Sequence, residues 1–175
     1  MTGQSRTLKI VATGIFAAMV TVMTAYICHI PYGANGGYIH FGDTLIYLAA
    51  VFLPRPCALA AAAIGGGLAD LLTAPMWMPV TVIIKMLIVL PFTGKHDKLL
   101  CRRNLAAPVL AGLLSAAGYY LAEALLFGSF AGAAAAVPGS LIQSGGSAAL
   151  FYAAAVILER SHANVQIRRL LGGRA

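Results

Sequence analysis

Charge is what this sequence has least of: Asp, Glu, Lys and Arg together make up 10% of its 175 residues, against a hydrophobic share of 60%. A soluble domain carries about a quarter charged residues. This chain has too little polar surface to face water on all sides, so an ordinary water-soluble domain is excluded and lipid is the expected solvent. Cysteine is sparse, and Cys28, Cys57 and Cys101 stand far apart, which provides neither a disulfide framework nor a zinc site. Catalytic motifs are absent as well. Gly94-Lys95 lacks both the upstream Gly and the following Ser or Thr of a phosphate-binding loop, so the chain is not expected to hydrolyse ATP. It has no Gly-x-Ser-x-Gly elbow and no His-Glu-x-x-His pair, and no enzyme, metal site or cofactor is expected.

Positive charge is present, with a net +7, but its placement argues against nucleic acid. Eleven of the twelve Lys and Arg residues fall at the N-terminus (Arg6, Lys9), in a Pro-flanked turn (Arg55), in one polar stretch (Lys95, Lys98, Arg102, Arg103) and in the tail (Arg160, Arg168, Arg169, Arg174). Basic residues gathered in alternate loops mark the cytoplasmic side of a membrane protein. The tail is also suited to anionic lipid head groups.

Apolar runs between these places predict six membrane-spanning helices, over about 7–30, 39–53, 57–72, 77–92, 105–127 and 138–158. The fold class expected is therefore an all-α integral membrane bundle in a single domain, 1–175, with both termini cytoplasmic. The second and fourth helices are short. About 15 residues rise only about 22 Å, less than the ~30 Å hydrocarbon core. A re-entrant hairpin would explain that shortness, but it would leave Arg55 at mid-membrane without an acid nearby, which is costly. Helix 1 carries small residues at every fourth position, Thr13, Ala17, Thr21 and Ala25. Such a ridge admits a neighbouring helix closely, either within this chain or on a partner.

Four acidic or basic residues, histidine aside, sit inside the helices: Asp43, Asp70, Lys85 and Glu123. Each costs about 2.5–3.5 kcal/mol at mid-span on insertion scales, so each must face a polar cavity or a partner. With six spans, all four lie within roughly 12 Å of the outer surface. Other polar residues share those levels. Ser115, Tyr119 and Glu123 recur on one helix face, as do Ser140, Gln143, Ser144 and Ser147 on another. Thr81 is one turn from Lys85, while His40 and Tyr47 flank Asp43. Tyr38 and Trp77 mark the outer interface, where aromatic rings settle. The expected site is an outward-facing pocket for a small polar or heteroaromatic solute. Glu123, Gln143 and Tyr119 are its ligand contacts, and Asn35 sits in the loop above. Lys85, Asp43 and Asp70 either fix the helices as buried ion pairs or touch the ring. Three acids against one lysine disfavour a polyphosphate and suit a neutral or cationic ring.

The run Gly42-Asp43-Thr44-Leu45-Ile46-Tyr47-Leu48-Ala49-Ala50 resembles the second-helix signature of the substrate-binding S components of energy-coupling factor (ECF) transporters. Gly66-Gly67-Leu68-Ala69-Asp70-Leu71-Leu72 and Pro79-Val80-Thr81-Val82-Ile83-Ile84-Lys85 are similar to later segments of that family. The branch most resembled handles hydroxymethylpyrimidine, pyridoxine and queuosine precursors. The resemblance implies six helices, an outward pocket lidded by the first external loop, and dependence on a transmembrane coupling subunit and two ATPase subunits. It also implies a partner contact at Ala17, Thr21 and Ala25, with Thr21 in place of the family's middle Ala. The Met1-Thr2 start differs from the Met-His start of members that carry nickel or cobalt. A stand-alone proton-coupled carrier and a small intramembrane enzyme using the three acids are the alternatives. Either would act alone in purified form, whereas an S component would only bind.

Overall fold

In the computed structural model the described residues are 3–27, 29–32, 35 and 37–171; Cys28 and Arg174 lie outside them. Helix α1 (Gly3–Ala25) leads to a two-stranded antiparallel hairpin, β1 (Ile30–Pro31) and β2 (Tyr38–Ile39), with Ile30 opposite Ile39. Then follow α2 (Asp43–Phe52), α3 (Arg55–Thr73), a 3-10 turn (Pro75–Trp77) and α4 (Met78–Leu87). The remaining helices are α5 (Arg102–Phe127), the short α6 (Phe130–Ala134), α7 (Val137–Arg160) and α8 (Ala163–Leu170).

Among the described residues, four helical segments are long and apolar enough to cross a membrane: Arg6–Ala25, Arg55–Thr73, Arg102–Phe127 and Phe130–Arg160. The second and fourth expected spans are shorter than the sequence suggests, since α2 and α4 have 10 residues each and rise only about 15 Å. Helix 1 also ends earlier than expected, at Ala25 instead of residue 30. The apolar run continues, but its last residues pair as strand, and hydropathy cannot separate a short apolar strand from a helix end. Pro56 lies in the first turn of α3 instead of breaking the chain before it, because a proline there forfeits no intrahelical bond. Helices α6 and α8 are additions to the expected set; they occupy the stretch between the fifth and sixth expected helices and the basic tail.

On the long helices many large apolar side chains point outward while small residues turn inward. Along α5, Leu105, Val109, Leu113, Leu121 and Leu125 are exposed, whereas Ala107, Ala111, Ser115 and Glu123 are buried. A chain in water would reverse this pattern. In lipid the aliphatic surface carries no penalty, while close helix approach needs small residues. The most extensive helix contact joins α1 and α3, where a Cβ on Gly65 would stand 2.8 Å from the Ala17 carbonyl oxygen. Ala17 and Ala25 are buried, and the Thr21 hydroxyl lies 3.0 Å from both the Ala17 and Gly65 carbonyls. Two of the three residues expected to meet a partner subunit are thus buried, and Ala17 and Thr21 are engaged by α3 within the chain.

At the far end of the bundle, the polar stretch before α5 is tied down by Asn104. Its side chain accepts from the Thr93 amide and donates to the Thr93 and Leu99 carbonyls at 2.8–2.9 Å. Tyr47, Phe92 and Phe151 pack against one another in the adjoining core, with ring centroids 4.8–5.9 Å apart.

Candidate functional site

The hairpin closes over a cavity between α3, α4, α5 and α7, lined by Thr24, Tyr32, Tyr38, His40, Asp70, Trp77, Thr81, Lys85, Tyr119, Glu123, Ser140 and Gln143 among others. It holds about 630 Å³ of empty space, mouth included, of which about 80 Å³ admits a water centre. A water needs about 10–15 Å³ by that measure. The free interior is therefore that of a one- or two-ring solute, unless the hairpin moves.

Short helices place the charged floor. Asp43 opens α2, and Lys85 lies in the last turn of α4. Lys85 Nζ reaches Asp43 Oδ1 at 2.6 Å, with both side chains almost wholly buried. Gln143 joins them: its amide donates to Asp43 Oδ2 at 3.3 Å, and its carbonyl accepts from the His40 backbone at 3.3 Å. The Gly42 amide donates to His40 Nδ1 at 3.0 Å, so that nitrogen is an acceptor and the Thr24 hydroxyl, 3.4 Å away, donates to it. Lys85, Asp43, the Gln143 amide and the His40 backbone form one connected network at the base of the cavity, in which the lysine's charge is already matched.

Two carboxylates remain for the walls. Tyr38 of β2 donates its hydroxyl to Asp70 on α3, and the His29 ring stacks on Tyr38 with centroids 4.0 Å apart. Burial and the neighbouring Asp70 carboxylate push the Tyr38 phenol well above its ordinary range, so it stays a donor. Asn35 donates to Glu123 Oε1 at 2.7 Å, and its backbone carbonyl accepts from the Trp77 indole at 3.1 Å. The lid is thereby latched to both carboxylates. It also rests on α7 through Tyr32, whose ring fills the space where a Cβ on Gly139 would stand 2.4 Å away.

The aromatic wall is formed by Trp77 and Tyr119, edge-on at 6.1 Å. Tyr119 and Thr81 share a hydrogen bond of 2.9 Å, and Lys85 Nζ lies 5.7 Å from the Tyr119 ring centroid.

Of the expected site residues, Glu123, Gln143, Tyr119, Lys85, Asp70, His40 and Trp77 line this one cavity. Asp43 lies beneath it through Lys85 and Gln143, and Asn35 lies above it through Glu123. Tyr47 stands apart, in the aromatic core with Phe92 and Phe151. Its spacing, one turn from Asp43, suggests the cavity, but α2 turns that residue toward the opposite end of the bundle. Thr24 and Tyr32 join the lining without a sequence signal. Thr24 looks like any small residue of an apolar helix, and Tyr32 lies in a loop without periodicity. The buried hydroxyls of Ser115, Ser144 and Ser147 have no protein partner, and all lie on the polar helix faces read from the sequence.

A family model described as ECF-type riboflavin transporter, S component, matches residues 4–160. A Pyrococcus woesei protein described as “Uncharacterized protein in gap 3'region” is 32% identical over 111 residues, which is 62% of this chain and 74% of that protein.

Proposed function

Because the chain belongs to the family of ECF-type riboflavin transporter S components, we propose that its lidded cavity captures a small heteroaromatic micronutrient from outside the cell. Proteins of this family are membrane-embedded substrate-binding subunits of vitamin transporters, not enzymes, and they work with a coupling subunit and ATPases. The proposed solute is a vitamin, a vitamin precursor or a queuosine-precursor-like base. The observation that carries this reading is the pairing of an aromatic wall, Trp77 and Tyr119, with two carboxylates latched by lid residues.

A ring entering the cavity stacks on that wall. Its N–H or amino groups take over the acceptors of Glu123 and Asp70, while Gln143 and Tyr119 bond its polar edge. Lys85 is already neutralised by Asp43, so it is no free cation for a phosphate, and the cavity favours a neutral or cationic solute. In the membrane, α2 and α4 complete six crossings with both termini in the cytoplasm, and the cavity opens outward. The solute is carried inward when the ATPases, acting through the coupling subunit, tip the loaded bundle.

Riboflavin itself is a second reading, favoured by the description of the matching family. Its three fused rings and sugar-like chain exceed the free interior and require the hairpin to lift. Calorimetric titration of the purified protein with riboflavin, pyridoxine, an aminopyrimidine and a deazaguanine base separates the two. The expected result is tightest binding of a one- or two-ring compound. Glu123→Gln and Gln143→Ala are expected to weaken it by about 10- to 100-fold each, the range for a buried hydrogen bond to a charged group or an orphaned partner. If neither substitution changes the affinity of the bound compound, the site assignment is wrong. Transport by the chain alone in liposomes would favour a proton-coupled carrier instead.

A further inference from the structure

A second, roomier cavity lies at the other end of the bundle, beneath the C-terminal ends of α2 and α4, with about 750 Å³ open to water centres. Five cations from separate parts of the chain surround it: Lys9 on α1, Arg55 at the start of α3, Lys95 in the polar stretch, Arg103 on α5 and Arg168 on α8. Among the described residues, Asp97 is the one carboxylate in its lining. Among the described residues no salt bridge joins any of these five cations to an acid; the salt bridge they contain is Lys85–Asp43, at the first cavity. Arg168 donates from two nitrogens to the Gly94 and Val51 carbonyls, at 2.6 and 3.2 Å, while its buried Nε has no partner. Its guanidinium also lies over the Phe52 ring, 5.9 Å from the centroid. The floor is apolar, formed by Phe52, Leu53 and Phe92 with their neighbours.

The void follows from the helix lengths. Helices α2 and α4 rise about 15 Å each, while α1, α5 and α7, with 23, 26 and 24 residues, rise about 35–39 Å. The bundle is therefore hollow beyond the ends of α2 and α4, between its longer helices. What fills such a hollow must offer an anion to the cations and apolar groups to the floor.

We propose that this cavity binds the phosphate and glycerol region of an anionic phospholipid. Lipid is favoured over a free phosphate ion because Phe52, Leu53 and Phe92 share the lining with the cations and because basic pockets between membrane helices recognise such head groups. Burial pulls the Arg168 guanidinium below the usual arginine range although Asp97 acts the other way, because desolvation disfavours the charged form.

The test titrates the full-length protein in neutral detergent with phosphatidylglycerol, phosphatidylcholine or inorganic phosphate, and reads bound lipid by native mass spectrometry. Phosphatidylglycerol should bind at least about tenfold more tightly than phosphatidylcholine, with one molecule retained, and millimolar phosphate should not displace it. The double variant Arg55→Gln/Lys95→Gln removes two exposed cavity cations and should bind about thirtyfold more weakly, at about fivefold per basic residue. Arg102→Gln/Arg160→Gln removes the same charge outside the cavity and should change binding by less than about threefold. Trp77 emission confirms that each variant is folded. Equal binding of the two lipids, or equal losses in the two double variants, overturns the proposal. Full displacement by phosphate would assign the site to the free anion, and unchanged lipid binding in the cavity variant would leave its cations to a protein partner.

Discussion

Asp43→Ala is expected to lower the unfolding temperature in detergent by about 10 °C. The substitution strands the Lys85 ammonium, which is 1% exposed and 2.6 Å from its carboxylate. Removing one partner of a buried pair costs about 3–5 kcal/mol, because the other charge stays desolvated. For a chain of this size each kcal/mol moves the midpoint by about 2–4 °C. Gln143 cannot compensate, since its amide donates to the same carboxylate and its carbonyl is held by the His40 backbone. The double variant Asp43→Leu/Lys85→Met removes both charges and should recover more than half of the loss, as replacing a whole buried pair by apolar groups is often near neutral. The outcome that speaks against a buried ion pair is a single variant as stable as the parent. Equal losses in the single and double variants would instead assign the cost to packing. Because the pair underlies the cavity, the single variant should also bind solute more weakly even at temperatures where it is folded.

Gly65→Leu should be nearly as damaging, for a different reason. A Cβ at this position would stand 2.7 Å from the Val20 side chain and 2.8 Å from the Ala17 carbonyl. The carbonyl belongs to the backbone of α1 and cannot rotate aside, so α1 must move as a body. That movement breaks the hydrogen bond from Thr21 to the Gly65 carbonyl and opens the interface along its length. Overpacking costs about 1–3 kcal/mol where side chains can adjust, and more where they cannot. Gly65→Ala should already destabilise. Gly14, on the same helix as Ala17, is the control, because an added Cβ there would meet nothing within 4 Å. Gly14→Ala should gain up to about 1 kcal/mol from helix propensity. Thermal unfolding of the three variants gives the order directly. Equal stability of Gly65→Leu and the parent would mean that α1 and α3 do not meet at Ala17.

Much of the site was legible because intramembrane polar residues are costly to bury. Asp43, Asp70, Lys85 and Glu123 could be singled out from hydropathy alone, and the structure draws them around one cavity. Their pairing was not legible. Asp43 and Asp70 are equal candidates for Lys85 by sequence, and the outcome depends on α2 and α4 packing so that residue 43 meets residue 85. Asp70 turns instead to Tyr38, a tyrosine whose position in the sequence suggests only an interfacial anchor. The hairpin was hidden for a related reason. Ile30 and Pro31 extend an apolar run, and two residues are too few to display the alternation of a strand. Hydropathy overestimates the start of α2, where Ile39 belongs to the hairpin, and the end of α4, where residues 88–92 remain apolar although the helix has given way to turns. Tyr47 shows the limit of reading by spacing: one turn from Asp43 is close along the helix, yet it carries the ring into the aromatic core.

The central claim is that solute binds against the wall made by Trp77 and Tyr119, beneath the lid. The sequence has one Trp, so all indole emission of the purified protein comes from Trp77, a residue buried in that wall. Titration with the solute that binds tightest should change the emission saturably, with a midpoint equal to the calorimetric dissociation constant, and Glu123→Gln should move both midpoints together. A solute that binds at one-to-one stoichiometry while leaving Trp77 emission untouched would contradict the account.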